Sequence, residues 1–432
     1  MQAALSTLSQ VKPPKPFSAQ NIRLYAVCFA LAATLYFLPN LFPQHIGTAY
    51  ITVSILMTTL SVVIWKNPTT SPHYGLIISL VLVVFLFWLT PLTSNDSERY
   101  LWDGAVFLGG FDPYVTAPND AAVSDLRALW PTPEEHANYA TLYPPGALGL
   151  FGFSALAGPV YGVWLWKGLV TLATCLSLIL LYKLLSARGQ LQAFSLFAFS
   201  PLFLFEAQAG AHLDIICVLG IIAALYAIEK EKFITAGLII GLAASVKFLP
   251  AVMVGPFLFY LKPRRALKMA LSAAFIWVSI YGVMIGLGYK PLGLLPTFFE
   301  KWRGGAPLYP LLESLNLSRS VFLSLLGSLA IAGFAYSACL AKKGRIEIAL
   351  MLSLAIPLLL SPVLFPWYLL ALLPIFALKP NATVFAAITL APLSYVVLNQ
   401  WLSAGIWAPV MWPSYVLLLG ILLGLLIDVR RA

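Results

Sequence analysis

The sequence predicts an all-α polytopic membrane protein, a bundle of about 12–14 transmembrane helices with a long first outer loop that carries juxtamembrane helices. Of the 432 residues, 60% are hydrophobic and 10% are charged, and the mean hydropathy is +0.89. Soluble domains are about 25% charged. Apolar runs of the ~20 residues that cross a bilayer recur from end to end. They do not alternate in polarity, which excludes a membrane β-barrel.

Charged residues, Pro and Gly divide the chain into 14 predicted spans, so both termini lie on one side. A polar tail, residues 1–21, precedes a single transmembrane domain, 22–432. The tail lacks the cleavage site of a signal peptide, so we expect the first span to stay attached. The spans are expected near residues 22–42, 47–65, 74–91, 160–182, 191–207, 213–228, 233–246, 249–261, 269–287, 319–340, 347–361, 367–378, 382–398 and 412–427.

The distribution of charge supports this layout. On the side of the termini lie 18 of the 26 basic residues, and on the other side lie 12 of the 16 acids. Loops rich in Lys and Arg remain in the cytoplasm. We therefore expect an inner or plasma membrane protein with both termini cytoplasmic. The same asymmetry accounts for the net charge of +10 without a nucleic-acid partner.

Two segments have ambiguous lengths. Residues 144–158 are apolar but short for a membrane span. If this segment crossed the membrane, the later basic clusters would lie outside, so we interpret 144–158 as a juxtamembrane or re-entrant helix. Residues 233–261 are long enough for one helix. Basic clusters at both ends favour a hairpin of two short helices with Lys247 near its tip.

Motifs for metals and common cofactors are not found in the sequence. Each cysteine stands alone in an apolar run, which suggests neither a zinc site nor a disulfide framework. No Gly-rich nucleotide motif, HExxH or GxSxG pattern occurs. We therefore expect no metal and no cofactor. The four cysteines are Cys28, Cys175, Cys217 and Cys339.

Ionisable residues concentrate in two predicted outer loops, 92–159 and 288–318. Half of the 16 acids fall in the first loop, which opens with SNDSERYLWDG at 94–104. Loops carry binding and catalytic residues more often than the elements they connect. The acids of the first loop are Asp96, Glu98, Asp103, Asp112, Asp120, Asp125, Glu134 and Glu135.

Asp96 is the first candidate for chemistry. It is expected at the outer end of the third span, half out of water, where burial would raise its pKa. If this segment is helical, Asp103 lies two turns after Asp96 on the same face, and Arg99, at i+3, can pair with Asp96. The functional interpretation is a general base for a hydroxyl group beside polar substrate-binding groups. The alternative is a solvated loop with ordinary salt bridges.

Further candidates lie in other outer segments. Glu206, His212 and Asp214 fall in one short turn, and ionisable groups at membrane depth suggest function; the alternative is a satisfied interfacial histidine. Lys247 either extends to the membrane surface or holds a phosphate. Lys301 and Arg303 form a second possible phosphate clamp or a solvated loop. The aromatics of the first loop either form an interfacial belt or stack on sugars: Tyr100, Trp102, Tyr114, Tyr139 and Tyr143.

These motifs resemble a known superfamily. DSERYLWDG (96–104), GGFDPY (109–114) and LYPPGA (142–147) are similar to the first outer loop of GT-C glycosyltransferases, especially bacterial polyprenol-phosphate-mannose-dependent mannosyltransferases. AHLD (211–214), VKFLP (246–250) and LFPWYLL (364–370) resemble later motifs of that family. The likeness covers roughly residues 90–370 in the same order.

The resemblance implies a GT-C-like bundle and an inverting hexosyltransferase, with mannose as the expected sugar. Its donor would be a polyprenyl-phosphate sugar in the membrane lipid, and its acceptor a hydroxyl of a lipid-linked or cell-envelope glycan on the extracytoplasmic side. Asp96 matches the general base and Asp214 a second catalytic acid. Lys247, and next Arg303 with Lys301, would hold the donor phosphate. The implied substrate-binding residues are Arg99, Tyr100, Trp102, Asp103, Tyr114, Tyr143 and His212.

A transporter or flippase of a lipid-linked or polar solute is the alternative from another class. Such proteins place charges or broken helices near the membrane midplane and often consist of repeated halves. Lys247 and Asp214 are the features that fit it. The acids of this chain cluster in one asymmetric outer loop, and no internal repeat is found, which favours the glycosyltransferase.

Overall fold

A computed structural model describes residues 19–67, 69–132 and 134–431. Most of the predicted N-terminal tail, 1–21, lies outside the described residues. Within the described part, regular structure is helical, apart from isolated bridges that join Gly304 and Gly305 to Val363. This confirms the predicted all-α fold class.

The helices of the first half begin the bundle and enclose the first long loop. They are α1 (Ala19–Ala33), α2 (Leu38–Leu41), α3 (Ile46–Lys66), α4 (Pro72–Leu86), α5 (Asp96–Leu108), α6 (Ser124–Leu129), α7 (Pro145–Ala155), α8 (Gly158–Ala187), α9 (Phe194–Ala198), α10 (Pro201–Gln208) and α11 (Asp214–Glu229).

The helices of the second half complete it. They are α12 (Phe233–Val246), α13 (Val254–Tyr260), α14 (Pro263–Gly286), α15 (Leu295–Lys301), α16 (Tyr309–Glu313), α17 (Arg319–Lys342), α18 (Ile346–Leu360), α19 (Leu373–Leu378), α20 (Ala382–Leu390), α21 (Leu398–Ala404) and α22 (Trp412–Arg431). Short 3₁₀ helices lie at Thr34–Tyr36, Ala121–Val123, Glu134–His136, Leu191–Ala193, Leu249–Met253, Pro366–Leu372 and Ala391–Val397.

Six helical segments in the described part are long and apolar enough to cross a membrane. The remaining predicted spans correspond to shorter apolar helices, several of them broken at proline, which cannot continue a helix hydrogen-bond ladder. The number of crossings therefore stays a prediction. The six segments are Ile46–Lys66, Gly158–Ala187, Pro263–Gly286, Arg319–Lys342, Ala382–Ala404 and Trp412–Arg431.

Both segments of ambiguous length are short helices in the structure. Helix α7 has 11 residues, which span about 16 Å at 1.5 Å per residue, too little for a hydrocarbon core of ~30 Å. The 233–261 segment breaks at Lys247, whose backbone is extended, and continues as a 3₁₀ helix and α13. Both predictions, a juxtamembrane-length helix and a hairpin with Lys247 at its tip, agree with these bounds.

Side-chain ion pairs mark the two ends of the bundle. At one end Arg188, after α8, contacts Glu229 of α11 and Glu347 of α18, each at 2.9 Å. At the other end Lys247 contacts Asp214, and His212 contacts Asp96. The helices between these groups therefore run alternately from one end to the other.

The centre of the bundle is the segment 193–215, in which every residue is buried. It contains α9, α10 and the turn that precedes α11. A helix that is apolar on all sides belongs in the interior of a protein. Glu206 and His212 are polar side chains on this most buried element, so they require polar partners there.

Helix α5 lies over the bundle end and packs closely on α7. A Cβ at Gly104 would lie 2.4 Å from the carbonyl oxygen of Phe151, so only glycine allows this approach. The second outer loop joins the same surface, because the Lys290 amide donates to Asp112 Oδ2 at 3.1 Å. The two loops predicted to carry function are thus in contact.

Candidate active site

Helix α5 begins at the first candidate residue. Asp96 and Glu98 lie in its first turn, where carboxylates are stabilised by the free amides and the positive end of the helix dipole. The Asp96 amide donates to Ser94 Oγ at 3.2 Å. The sequence SNDSE thus starts a helix immediately after the apolar segment and fixes Asp96 at its tip.

The Asp96 carboxylate faces polar groups and remains accessible. Its Oδ2 lies 3.3 Å from His212 Nδ1 and accepts a hydrogen bond from the Tyr100 hydroxyl at 3.3 Å. The side chain is 20% exposed. Burial acts to raise the pKa of Asp96, but the contact with His212 and the charges of His212, His136 and Lys247 lower it overall. The predicted raised pKa is therefore wrong, because neighbouring cations outweigh burial.

His212 lies between two carboxylates. Its Nδ1 is near Asp96, its Nε2 is 3.4 Å from Glu206 Oε2, and its side chain is fully buried. The imidazole stacks on the Trp367 ring with 3.9 Å between centroids. Burial lowers the pKa of His212, but the contacts and charges of Asp96 and Glu206 raise it to about 9. The ring is therefore an imidazolium at neutral pH.

Glu206 is held by hydroxyl groups from distant parts of the chain. Its Oε1 accepts from Tyr395 at 2.6 Å and from Tyr50 at 3.3 Å, and its Oε2 accepts from Thr93 at 3.3 Å. These bonds satisfy a carboxylate that is 1% exposed. The sequence groups Glu206 with His212 but predicts no role for Glu206. Its hydroxyl partners are far away in sequence, so no local pattern reveals them.

Lys247 and Asp214 form the next pair along the site. Lys247 Nζ lies 2.6 Å from Asp214 Oδ1 and 4.1 Å from the centroid of the Tyr368 ring. The break between α12 and α13 lets the lysine extend to this position. Its charge also acts on Asp96, so the two groups share one electrostatic environment. The structure thus brings Asp96, His212, Asp214 and Lys247 together.

Asp103 has a different environment on the same helix. It lies 2.9 Å from Arg99 Nε and accepts from Thr141 Oγ1 at 2.6 Å, and both charged side chains are buried. Arg99 also donates to the carbonyl of Tyr139 at 2.7 Å. The predicted pairing of Arg99 with Asp96 is therefore wrong: the guanidinium pairs with Asp103 and donates to the carbonyls of His136 and Tyr139. Burial, the largest cause, raises the pKa of Asp103 although Arg99 and Thr141 oppose it.

The predicted sugar-stacking aromatics lie mainly inside the loop. Tyr100, Trp102 and Tyr114 are almost fully buried. Tyr100 stacks on Phe151 with 4.5 Å between centroids and meets Tyr143 edge to face at 5.2 Å. Their observed contacts support α5, and Tyr143 alone among these four is partly exposed. Their roles toward a substrate stay predictions.

The observed partners of the second predicted phosphate clamp are not members of this cluster. Arg303 donates to Glu313 from Nε and Nη2, at 3.2 and 2.8 Å, and contacts the Tyr309 ring. Lys301 is exposed at the end of α15. Among the described residues, no group of three His, Cys, Asp or Glu side chains is arranged to hold a metal ion.

The fold and the cluster define a polytopic helical membrane protein with a carboxylate–imidazolium site at one end of the bundle. A family model described as MptA_B family, alpha-(1->6)-mannopyranosyltransferase, N-terminal domain, matches residues 27–263. The chain belongs to this family, which makes it a mannosyltransferase and confirms the GT-C resemblance. The matched region includes Asp96, His212, Asp214 and Lys247. Comparisons with curated proteins and with solved structures found no significant match.

Proposed function

We propose that the protein transfers mannose from a polyprenyl-phosphate donor to a hydroxyl of a lipid-linked or cell-envelope glycan, with inversion. The site lies at the extracytoplasmic face of the inner or plasma membrane. The observation that carries the proposal is Asp96, a partly exposed carboxylate whose pKa is lowered by His212 and by the charge of Lys247. The site thus combines a base, Asp96, with a nearby cation, Lys247, at the end of the bundle.

Asp96 acts as the general base. A base must be ionised to accept a proton, and the lowered pKa keeps this carboxylate ionised at neutral pH. The acceptor O–H proton passes to Asp96 as the oxygen forms a bond to C1 of mannose. The bond between C1 and the phosphate oxygen breaks, and polyprenyl phosphate leaves with the electron pair. A single displacement inverts the configuration at C1.

Lys247 binds the donor phosphate and stabilises the leaving group. Its side chain is 25% exposed, and a lysine acts on phosphate as a point charge. Asp214 holds the ammonium in position before the donor binds. A bound phosphate offsets the charge of Lys247, which then lowers the pKa of Asp96 less. Donor binding therefore strengthens the base when it is needed.

His212 positions the base. As an imidazolium between Asp96 and Glu206, it fixes the orientation of the Asp96 carboxylate and keeps it ionised. Stacking on Trp367 restricts rotation of the ring. His212 is fully buried, so its effect on the substrate passes through Asp96.

A donor panel tests the proposed reaction. The purified protein in liposomes is incubated with an alkyl α-mannoside and one donor at a time, either polyprenyl-phosphate mannose, glucose or arabinose or a nucleotide-linked mannose, and the product is analysed by NMR. We expect transfer of mannose with inversion. Lys247→Gln is expected to raise the donor KM by about tenfold or more, the loss of one charged contact, whereas Lys301→Gln leaves it within about twofold. Transfer from a nucleotide sugar but from no lipid donor would refute the proposal.

The proposed side of the membrane is tested separately. A cysteine introduced at the exposed Asp120, in a variant without the exposed Cys339, is treated with an impermeant thiol reagent in intact cells. We expect labelling, since the first loop is assigned to the outer face. Labelling only after the cells are opened would place the site on the cytoplasmic face.

A further inference from the structure

A cleft of about 550 Å³ opens on the opposite side of helix α5 from Asp96. This volume falls in the range of small-molecule sites, about 300–1,000 Å³. Ser97, Glu98 and Leu101 of the helix line it. Glu98 is rotated by about 200° from Asp96 on a helix of 3.6 residues per turn, so the cleft is distinct from the base and its imidazolium.

The walls of the cleft change from polar to apolar. Ser94, Asn95 and Glu98 form one side, and the apolar side includes Leu92, Val163 of α8 and Leu402 of α21. Leu402 lies near the end of the candidate span Ala382–Ala404. The cleft therefore lies where a membrane segment meets the polar loop, a position suited to an amphiphile with a polar head.

Charge restricts what the polar side can hold. None of the described residues that line the cleft is basic. Asn95 donates to Glu135 at 2.6 Å, and burial together with the charge of Glu135 raises the pKa of Glu98. The Glu98 carboxylate in the lining and the neighbouring Glu135, with no basic residue among the described lining residues, disfavour a phosphate. They accept hydrogen bonds from hydroxyl groups, so a neutral, hydroxyl-rich head fits this side.

Two tryptophans add flat apolar surface. Trp130, after α6, and Trp401 of α21 both line the cleft. Aromatic rings pack against the C–H faces of sugars by dispersion and burial. The combination of carboxylate, amide and tryptophan matches a glycan better than a simple lipid head.

We propose that this cleft is a remote subsite that holds the non-reacting part of a neutral glycan acceptor bearing an apolar tail. The inference rests on the proposed function. Ser94 lines the cleft, and its Oγ also accepts a hydrogen bond from the Asp96 amide. The path from the cleft to the Asp96 carboxylate therefore passes around the N-terminal end of α5. An acceptor held by Glu98 and Trp401 extends its terminal hydroxyl around this end to Asp96.

The subsite separates the two substrates by charge. The anionic donor is attracted to Lys247, whereas Glu98 and Glu135 repel it from the cleft. The neutral acceptor is not repelled there. Glu98, which the general-base mechanism leaves without a role, thus contributes to acceptor binding.

Binding of an alkyl α-1,6-mannobioside to the full-length protein in nanodiscs, without donor, tests the subsite. Glu98→Gln and Trp401→Ala are each expected to raise the Kd about tenfold, the loss of one hydrogen-bonded or stacked contact. Glu134→Gln and Trp412→Ala alter an exposed acid and an exposed tryptophan outside the cleft. These matched controls are expected to stay within about twofold. A thermal-shift measurement verifies that each variant is folded.

Kinetics distinguish this subsite from a donor site. The two cleft variants are expected to raise the acceptor KM about tenfold and to leave the donor KM and the kcat at saturation within about twofold. Unchanged glycoside binding in both variants, or a raised donor KM with an unchanged acceptor KM, overturns the subsite. Because binding is measured without donor, failure of the wild type to transfer mannose counts against the proposed reaction alone.

Discussion

Helix α5 carries two carboxylates on one face, two turns apart, whose surroundings differ. The Asp96 side chain is 20% exposed and faces His212, whereas the Asp103 side chain is 2% exposed and is enclosed by Arg99 and Thr141. Arg99 carries a fixed charge, but His212 can lose its proton. The difference separates an accessible carboxylate with a titratable partner from one whose bonds fix the fold.

Removal of the Asp96 charge gives the largest expected effect. Asp96→Asn keeps the shape of the side chain but cannot accept the hydroxyl proton, so we expect kcat to fall by about 10²–10⁴-fold. Donor binding is expected to stay near wild type, and the unfolding temperature is expected to fall less than in Asp103→Asn, because the buried His212 ring keeps Glu206 as a partner. Steady-state kinetics and thermal shift measure both. Full turnover by the variant would refute the base assignment.

The same change at Asp103 tests the other half of the comparison. Asp103→Asn leaves the Arg99 guanidinium buried without its carboxylate, which costs about 3–5 kcal/mol of unfolding free energy. We expect a strong loss of thermal stability and a kcat per folded molecule within about tenfold of wild type. Thr141→Val, which removes one hydrogen bond, is the milder control. A stable Asp103→Asn protein without turnover would show that Asp103 takes part in the chemistry.

Glu206→Gln tests whether the charge of His212 supports the function of Asp96. His212 has a pKa raised to about 9, so its ion contacts stabilise the fold fully below its ordinary value near 6.5 and are lost as pH rises towards 9. In Glu206→Gln the pKa of His212 is lower, because one of the two negative charges beside the ring is gone. His212 therefore loses its proton at a lower pH, and both the stability and the kcat/KM begin to fall at a lower pH than in wild type. We expect about a tenfold lower kcat/KM at pH 8.

The pH profile distinguishes this effect from a packing defect. Glu229→Gln, which removes a carboxylate at the opposite end of the bundle, is the matched control and is expected to leave the profile unshifted. A uniform loss of activity at every pH in Glu206→Gln would indicate that Glu206 acts through packing alone.

Local features of the site were predictable from sequence because they depend on neighbours along the chain. The short helix at 145–155 and the break at Lys247 follow from charge, length and proline positions, whereas the helix that starts at Asp96 was only a condition of the argument for Asp103. The resemblance to GT-C glycosyltransferases also implied that Asp96, His212 and Lys247 belong to one site. These predictions required no knowledge of how distant segments pack.

The partners that give these residues their properties were not predictable. Tyr395 lies 189 residues from Glu206, and Trp130 and Trp401 line the same cleft although they share no sequence pattern. The pairing of Arg99 was ambiguous for another reason, because Asp96 at i−3 and Asp103 at i+4 both satisfy helical spacing. The positions of Thr141 and of the His136 and Tyr139 carbonyls decide which acid Arg99 pairs with. The cations near Asp96 likewise reversed the expected direction of its pKa.

The smallest expected effect concerns the other candidate cation, Arg303. Its side chain is 38% exposed and already pairs with Glu313, and exposed ion pairs contribute about 0–1 kcal/mol. Arg303→Gln is therefore expected to change the donor KM by less than about twofold, measured beside Lys247→Gln. An equal rise in both variants would mean that the donor phosphate contacts both the tip of the 233–261 hairpin and the second outer loop. In that case Glu313→Gln, which frees the guanidinium, should lower the donor KM.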